Sequence, residues 1–553
     1  MLDPQPPALL SSRPVGESRK MLHRAVDLGL DFATGKLRDH RVLRHATVQQ
    51  LIDQLSESIP VTGSSDDQLM SSLGEIARWS IAQADPRYLA FPDTGDSLAA
   101  LAADIVATFL NQNLIAFDRS APAASVIEAQ LITWLRELIG YQVTPLAEYQ
   151  GLASLGGMWT SGGNMSNHVA IAAALAHTYP QVRQGGLRAL PEQPVILLAG
   201  GVEHFSYLAA AQALGLGRDG LLWADATPDF TSDPRSIGHL LAVPPPGKRI
   251  FMVVGVAGNC RTTGIDDLQA LADLCRLHGV WFHVDACHGG SLLFSEKLKI
   301  QLAGIERADS VALDPHKGLF VSYPSSYALF RDPAALGSFA RYPDRAEDPD
   351  CLDLGLITPF YGSRGFESLK LWALMKHQGT DGIGRLVEAR QATYQRMVDL
   401  LDRTGSFRML GTSDFYRCAF VFLPTQVAHV LQETYSRPEL HPAVRELVSR
   451  YTAAFADRLY RSGTVVFDLF ALQDLADRIG LGTAAKYQVM GMCVGHPHIA
   501  DEVEQEIEQA ILDLAQEFTA AMLTDARTIL TAPAPSDGGA AAAAADVTGP
   551  AGW

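Results

Sequence analysis

Basic residues are scarce in this chain: 44 Lys and Arg stand against 61 Asp and Glu, a formal net charge of −17 at pH 7. That deficit argues against nucleic acid or an anionic membrane surface as the main partner. Cysteine is also sparse. Cys260, Cys275, Cys287, Cys351, Cys418 and Cys493 show neither CxxC pairs nor other metal-ligand spacing, so they read as reduced thiols of a cytoplasmic protein, with no disulfide framework and no metal site. Uninterrupted apolar runs are missing too. The most apolar stretch, SLAALAADIVATFLNQNLIAF (97–117), is broken by Asp104 and by Asn111 to Asn113, which predicts a buried helix and then a break in place of a membrane span. The opening MLDPQPPALLSSRPVGESRK has prolines and an acid where a signal peptide needs an apolar core. No GxxxxGKS/T motif occurs, and no GxGxxG stands between a strand-like run and a helical one, so P-loop and nicotinamide enzymes are set aside. There is no internal repeat.

What is present is a chain of 553 residues, 47% of them hydrophobic, enough for a large core and more than one structural unit. Residues 1–20 read as disordered, and the segment to 110 as helical, with amphipathic periodicity in TVQQLIDQLSESI and SLGEIARWSIAQ. From about 120 to 330 short apolar or β-branched runs alternate with helical stretches such as GIDDLQALADLCRLHG (264–279). The runs are PVILLAG (194–200), RIFMVVGV (249–256), VWFHVD (280–285), SVALD (310–314) and SYALF (326–330). This alternation predicts an α/β fold, a mostly parallel sheet covered by helices on both faces. The expected organisation is an N-terminal helical segment (1–110), a large domain (111–400), a small α+β domain (401–525) and a disordered low-complexity tail (526–553).

In such a sheet ligands bind outside the carboxyl ends of the strands, and four features could converge there. TSGGNMSNHVAIAAALAH (160–177) opens a helix with Gly162, Gly163 and Asn164, where unpaired N–H groups and the helix dipole favour a phosphate; an ordinary capped turn would look the same. Asp285 ends VWFHVD, suited to a protonated ring nitrogen or simply to capping. His204 follows PVILLAG, able to lie against a planar ligand or to sit satisfied in the core. Lys317, in DPHK beside Asp314 and His316, is an amine nucleophile if desolvated and a surface lysine if not. Together they meet the needs of one cofactor, pyridoxal 5′-phosphate: a Schiff-base lysine, a carboxylate for the pyridinium, a phosphate cup and a group packed on the ring.

The motifs TSGGNMSN, EHFSYLAAA, HVDACHGG, DPHK and RGFESLKLW resemble those of the group II pyridoxal-phosphate-dependent amino-acid decarboxylases, which act on aromatic amino acids, glutamate, histidine or 2,4-diaminobutyrate. The resemblance runs from DPRYLAFP near 85 to about 515. It implies PLP fold type I, a homodimer with active sites at the subunit interface, and decarboxylation of an L-amino acid to an amine. It also implies that Lys317 carries the cofactor, Asp285 pairs with its ring nitrogen and His204 stacks on the ring. Gly162, Gly163, Asn164, Asp314 and His316 would lie about the cofactor, and Phe91 and Pro92 in the substrate pocket. Tyr361, in the loop before SRGFESLKLW, is the candidate for protonating the reacting carbon; a residue without an acidic proton there would favour oxidative deamination to an aldehyde. Two further positions depart from the family pattern. Asn259 and Cys260 replace threonines near the ring, bringing a second thiol beside Cys287. Gly491 or a neighbouring Met stands where several relatives carry an arginine for a substrate carboxylate, so an apolar or aromatic side chain is favoured over an acidic one. A carbon–carbon lyase and an inactive PLP-binding scaffold are the competing readings.

Overall fold

Two sheets organise the chain, as seen in a computed structural model that describes residues 9–200, 204–339, 342–360, 362–411 and 415–531. The larger has seven strands: β2 (Gly157–Thr160), β3 (Gln193–Ala199), β4 (Leu221–Ala224), β5 (Lys248–Val256), β6 (Trp281–Ala286), β7 (Ser310–Leu313) and β8 (Ser326–Phe330), in the order β2-β8-β7-β6-β5-β3-β4. The smaller has five: β1 (Tyr88–Leu89), β9 (Phe407–Gly411), β10 (Arg417–Phe422), β11 (Val466–Gln473) and β12 (Lys486–Cys493), in the order β1-β11-β12-β10-β9.

All five predicted strands are present, as β3, β5, β6, β7 and β8. The short strands β2 and β4 escape periodicity because four residues are too few to distinguish strand from loop. From β7 to β4 the pairing is parallel, whereas β8 runs antiparallel to both β7 and β2. Those two reversals point β2 the same way as β7, so the chain leaves β2, β3, β5, β6 and β7 along one edge.

The sheet separates two hydrophobic cores. In β3, Val195, Leu197 and Ala199 pack on one side, and Ile196 and Leu198 on the other, the period of two that a doubly covered strand demands. The first core continues without a break into the small domain through Phe420, Phe422 and Phe455. At about 1.5–3 kcal/mol for each fully buried aliphatic side chain, this shared core holds the two sheets in a fixed relation. The connecting helix Leu369–Arg403 breaks its turn at Gly379, φ 65 and ψ 169.

Two boundaries differ from expectation. The N-terminal segment is largely helical, with Val15–Ala33, Val48–Leu55, Asp66–Trp79 and Leu98–Leu110, but its first helix begins inside the stretch read as disordered. It also lends β1 to the small sheet, pairing Tyr88 with Val466 and Leu89 with Phe467. The C-terminal helix Asp501–Thr531 runs past 525. Residues 1–8 and 532–553 lie outside the described ones.

Candidate active site

Every strand leaving that edge delivers a polar side chain or a close backbone. After β2 the helix Gly163–Thr178 begins, its amide-rich first turn facing the edge. A Cβ at Gly163 would collide with the Cys287 sulfur and lie 2.6 Å from Asp314 Oδ2; only glycine lets the helix start come so close. Gly162 faces open space and is extended, with no such demand on it.

Asp285, next to last in β6, is buried. Its Oδ2 accepts from Asn167 Nδ2 at 2.9 Å and the Tyr207 hydroxyl at 3.1 Å, and its Oδ1 from the Cys287 amide at 3.1 Å. Burial works against its charge, but hydrogen bonds from the Cys287 and Asn167 side chains and the Lys317 ammonium hold the carboxyl below its ordinary range.

Beyond β7 comes the one-turn helix Pro315–Gly318. Lys317 Nζ lies 2.9 Å from Asp314 Oδ2, and Ser326 donates to Asp314 Oδ1 at 2.7 Å. Burial opposes the ammonium, yet Asp314, Cys287 and Asp285 raise its pKa well above the usual lysine value. This turn is clamped by the buried Arg390, which donates to the Gly318 carbonyl and to Ser291 Oγ, both at 2.9 Å, with its guanidinium 4.4 Å from the Tyr416 ring. His316 Nδ1 donates to the Ser325 carbonyl at 2.7 Å, its Nε2 lies 3.7 Å from Asp314 Oδ2, and its ring packs on Tyr323 at 4.1 Å.

His204 lines the same pocket with Gly163, Asn164, Asp285, Cys287 and Lys317. Burial first, then the Lys317 charge, push its pKa down. The Ser206 amide donates to its Nδ1 at 3.3 Å, so the ring is neutral with its proton on Nε2. His288, a further lining residue, is also kept neutral by burial and meets the Tyr416 hydroxyl at 2.7 Å. Asn259 and Cys260 do reach this pocket. Asn259 Oδ1 accepts from the Thr262 and Arg261 amides at 2.8 and 2.9 Å, however, so that side chain folds its own loop. Burial drives the Cys287 thiol well above its ordinary value, leaving little thiolate to oxidise.

Phe91 and Pro92 follow β1 and lie against the small sheet. The Arg417 guanidinium is 5.9 Å from the Phe91 ring, and a Cβ on Gly495 would sit 3.3 Å from the Pro92 carbonyl. A side chain at Gly491 would meet Arg417 Nη2 at 2.8 Å and Phe470 at 2.7 Å. A guanidinium from the neighbouring strand thus fills the space left at Gly491. It pairs with Asp468 and donates to the Arg261 carbonyl at 3.1 Å. One residue past Pro92, Asp93 has a buried Oδ1 without a hydrogen-bond partner; burial raises its pKa against the charges of His316 and Lys317. Tyr361 lies outside the described residues.

Sequence reasoning missed Asn167, Tyr207, His283, His288, Arg390 and Arg417. A signal existed for two: Asn167 is one turn along the helix from Gly163, and His283 shares a strand face with Asp285. Arg390 and Arg417 carry none, since each is remote in sequence from what it touches.

The residues present fit pyridoxal phosphate on structural grounds. A carboxylate held charged and an amine line one pocket with a neutral imidazole, and a glycine that admits no Cβ opens a helix against it. The sequence profile of the pyridoxal-dependent decarboxylase conserved domain matches residues 49–422. Mouse (Mus musculus) cysteine sulfinic acid decarboxylase is 28% identical over 84% of this chain and 92% of its own length. L-2,4-Diaminobutyrate decarboxylase of Rhizobium meliloti is 30% identical over 67% of this chain and 72% of its own. The crystal structure of mouse CSAD in apo form superposes with a TM-score of 0.78 at 25% identity, covering 91% of this chain and 99% of that one. The chain belongs to the group II pyridoxal-phosphate-dependent amino-acid decarboxylases and is a PLP-dependent carboxy-lyase of fold type I.

Proposed function

We propose that the protein converts an L-amino acid with an apolar or aromatic side chain to its amine and CO₂, with Lys317 as the Schiff-base lysine. The observation that carries this is the placement of Lys317 and the charged Asp285 in one pocket with the neutral His204. Bound there, pyridoxal phosphate supplies an electron sink for bond cleavage at the substrate's α-carbon. Asp285 holds the ring nitrogen's proton by charge, and His204 offers a ring face. Gly163, Asn164 and Asp314 border the phosphate, with Gly162 and His316 behind them. Phe91 and Pro92 border the substrate, and Tyr361 is the proposed proton donor. The side-chain preference is supported by the missing guanidinium at position 491 and by the pairing of Arg417 with Asp468, which neutralises the nearest substitute.

The proposed assembly is a cytoplasmic homodimer. Helix Leu98–Leu110 exposes Leu98 (77%), Ile105, Val106 and Phe109 (55%), and helix Val15–Ala33 exposes Val26 and Leu30; a contiguous apolar face of this kind calls for a partner. The six cysteines are all free, which suits a reducing compartment. Among the described residues no helix is long and apolar enough to cross a membrane.

The test is to incubate purified protein and PLP with each proteinogenic amino acid and with cysteine sulfinate, and to identify products by mass spectrometry, alongside Lys317→Ala. Amines from apolar or aromatic substrates are expected, with turnover and the cofactor's lysine-bound absorption both lost in the variant. An aldehyde would replace the amine assignment with oxidative deamination. Faster turnover of glutamate or cysteine sulfinate would overturn the side-chain preference, and normal turnover in Lys317→Ala the role of the lysine.

A further inference from the structure

We propose that Asp285 is held by a one-way chain of hydrogen bonds, Trp281 to Ser310 to His283 to Asn167 to Asp285, which fixes the orientation in which the carboxylate meets the ring nitrogen; this makes Asn167 and His283 positioning residues for the reaction. The inference rests on the assignment of Asp285 to the cofactor's ring nitrogen.

Each link admits only one direction. A carboxylate can only accept, so Asn167 must turn its amide nitrogen toward Asp285 Oδ2, at 2.9 Å. The second N–H of that amide goes to Ser206 Oγ at 2.9 Å. Asn167 Oδ1 is thereby aimed at His283 Nε2, 3.0 Å away, and that nitrogen must carry a proton. His283 is fully buried and its pKa is pushed down to about 4, so the ring is neutral and Nδ1 is a bare acceptor. Ser310 donates its hydroxyl proton to Nδ1 at 2.9 Å and accepts from Trp281 Nε1, also at 2.9 Å. An indole N–H can only donate, which fixes the far end.

Local structure explains why these side chains meet. Trp281, His283 and Asp285 alternate along one face of β6, and Ser310 is the register partner of His283 on β7. Asn167 descends onto the same face from the helix that starts at Gly163. Asn167 and Ser310 are each 1% exposed and Trp281 7%, so solvent does not compete for these bonds. The indole neither releases nor takes up a proton at neutral pH, so the chain is no proton relay; what it transmits is orientation and polarity.

The chain has its consequence at the carboxylate. Asn167 and Tyr207 both donate to Oδ2 and the Cys287 amide to Oδ1, with the Cys287 side chain a further donor. The bonds at Oδ2 fix the plane of the carboxylate and so the orientation in which it meets a ring N–H in the pocket. Turning Asn167 by a flip of its amide would set oxygen against oxygen at Asp285, and breaking the chain at His283 removes the bond that prevents this.

The experiment has two arms. In the first, ¹⁵N-histidine-labelled protein without cofactor is followed by NMR. A neutral Nε2–H tautomer of His283, unchanged from pH 5.5 to 9, is expected within about a unit of the titration point given above; an Nδ1–H tautomer or titration near pH 7 overturns the chain. In the second, His283→Leu, His283→Gln and Asn167→Asp are loaded with PLP labelled at the ring nitrogen. Glutamine can donate to Asn167 and accept from Ser310, so it should keep kcat within about threefold and the wild-type ¹⁵N ring shift. Leucine and the Asn167→Asp change should lower kcat about 10- to 100-fold, the scale for residues that orient a ligand's direct partner. They should also move the ring-nitrogen shift toward the unprotonated value, with KM little changed. Leucine with wild-type kcat and ring shift overturns the positioning role, as does a glutamine variant no better than leucine. If the ring nitrogen of PLP bound to wild-type protein shows the unprotonated shift, the assignment of Asp285 fails, while the tautomer measurement still decides the chain.

Discussion

The two walls of the proposed site, one for the cofactor and one for the substrate, are built differently. On the large-sheet side, Gly163, Asn167, Asp285, Asp314 and Lys317 stand on strand ends or on the first turns that follow them, and their polar atoms are held by buried hydrogen bonds. On the small-sheet side, Arg417, Asp468 and Gly491 come from β10, β11 and β12, and Phe91 and Asp93 from the loop after β1. Each residue of the cofactor wall therefore lies in a short motif at a strand end, and contact distances of a few ångströms specify it. The substrate wall depends on which remote strands become neighbours. Chemistry common to many substrates suits the first construction, and selection among substrates suits the second, where a single strand position changes the pocket's charge without disturbing the carboxylate and lysine.

The largest effect that would break this contrast lies in the substrate wall. Arg417→Leu leaves Asp468 partly buried without its cation, a loss of about 3–5 kcal/mol for a buried pair broken on one side. The double variant Arg417→Leu/Asp468→Leu is expected to recover most of that stability in urea unfolding. Equal stability of single and double variants would show that the pair does not hold this wall together.

A comparable effect, read through pH, belongs to the cofactor wall. His283 is buried with its pKa lowered to about 4, against about 6.5 in the unfolded chain. Between those values the unfolded state binds a proton that the folded state refuses, so stability rises with pH across this window and falls as the pH drops from about 6.5 to about 4. The loss amounts to about 3 kcal/mol at 1.36 kcal/mol per unit. Relative to wild type, His283→Gln should flatten this part of the stability profile, and an unchanged slope would remove His283 as its source.

Smallest is Gly163→Ala. The added Cβ meets Cys287 and Asp314, and overpacking of this kind costs about 1–3 kcal/mol. PLP affinity by titration should fall, whereas Gly162→Ala, whose Cβ enters open space, should retain it more nearly if the cofactor leaves that space free. Equal affinities in the two variants would place the phosphate away from Gly163.

The cofactor wall was legible because close approach leaves a signature. Small residues must stand before a helix at Gly163, and a carboxylate must end a strand at Asp285. Within those same motifs Asn167 and His283 went unnoticed, since their roles emerge only when a helix and a strand are laid face to face. The substrate wall misled in one respect: Gly491 reads as a missing guanidinium, yet Arg417 brings one back from the adjacent strand with Asp468 already bound to it. His316, expected about the cofactor, stands between Ser325, Tyr323 and Asp314, a placement that comes from its position in a single helical turn.

By itself the order of residues determined the α/β alternation, the strand ends that carry Asp285 and Lys317, and the glycine at the helix start, because backbone periodicity and steric contact act over a few residues. Tertiary structure alone decided the pairing of β1 with β11, the return of Arg417 over Gly491 and the polarity of the chain behind Asp285. Those depend on strands and helices far apart in sequence being pressed together by a common core, and a hydrogen bond has a direction only once both of its partners are in place.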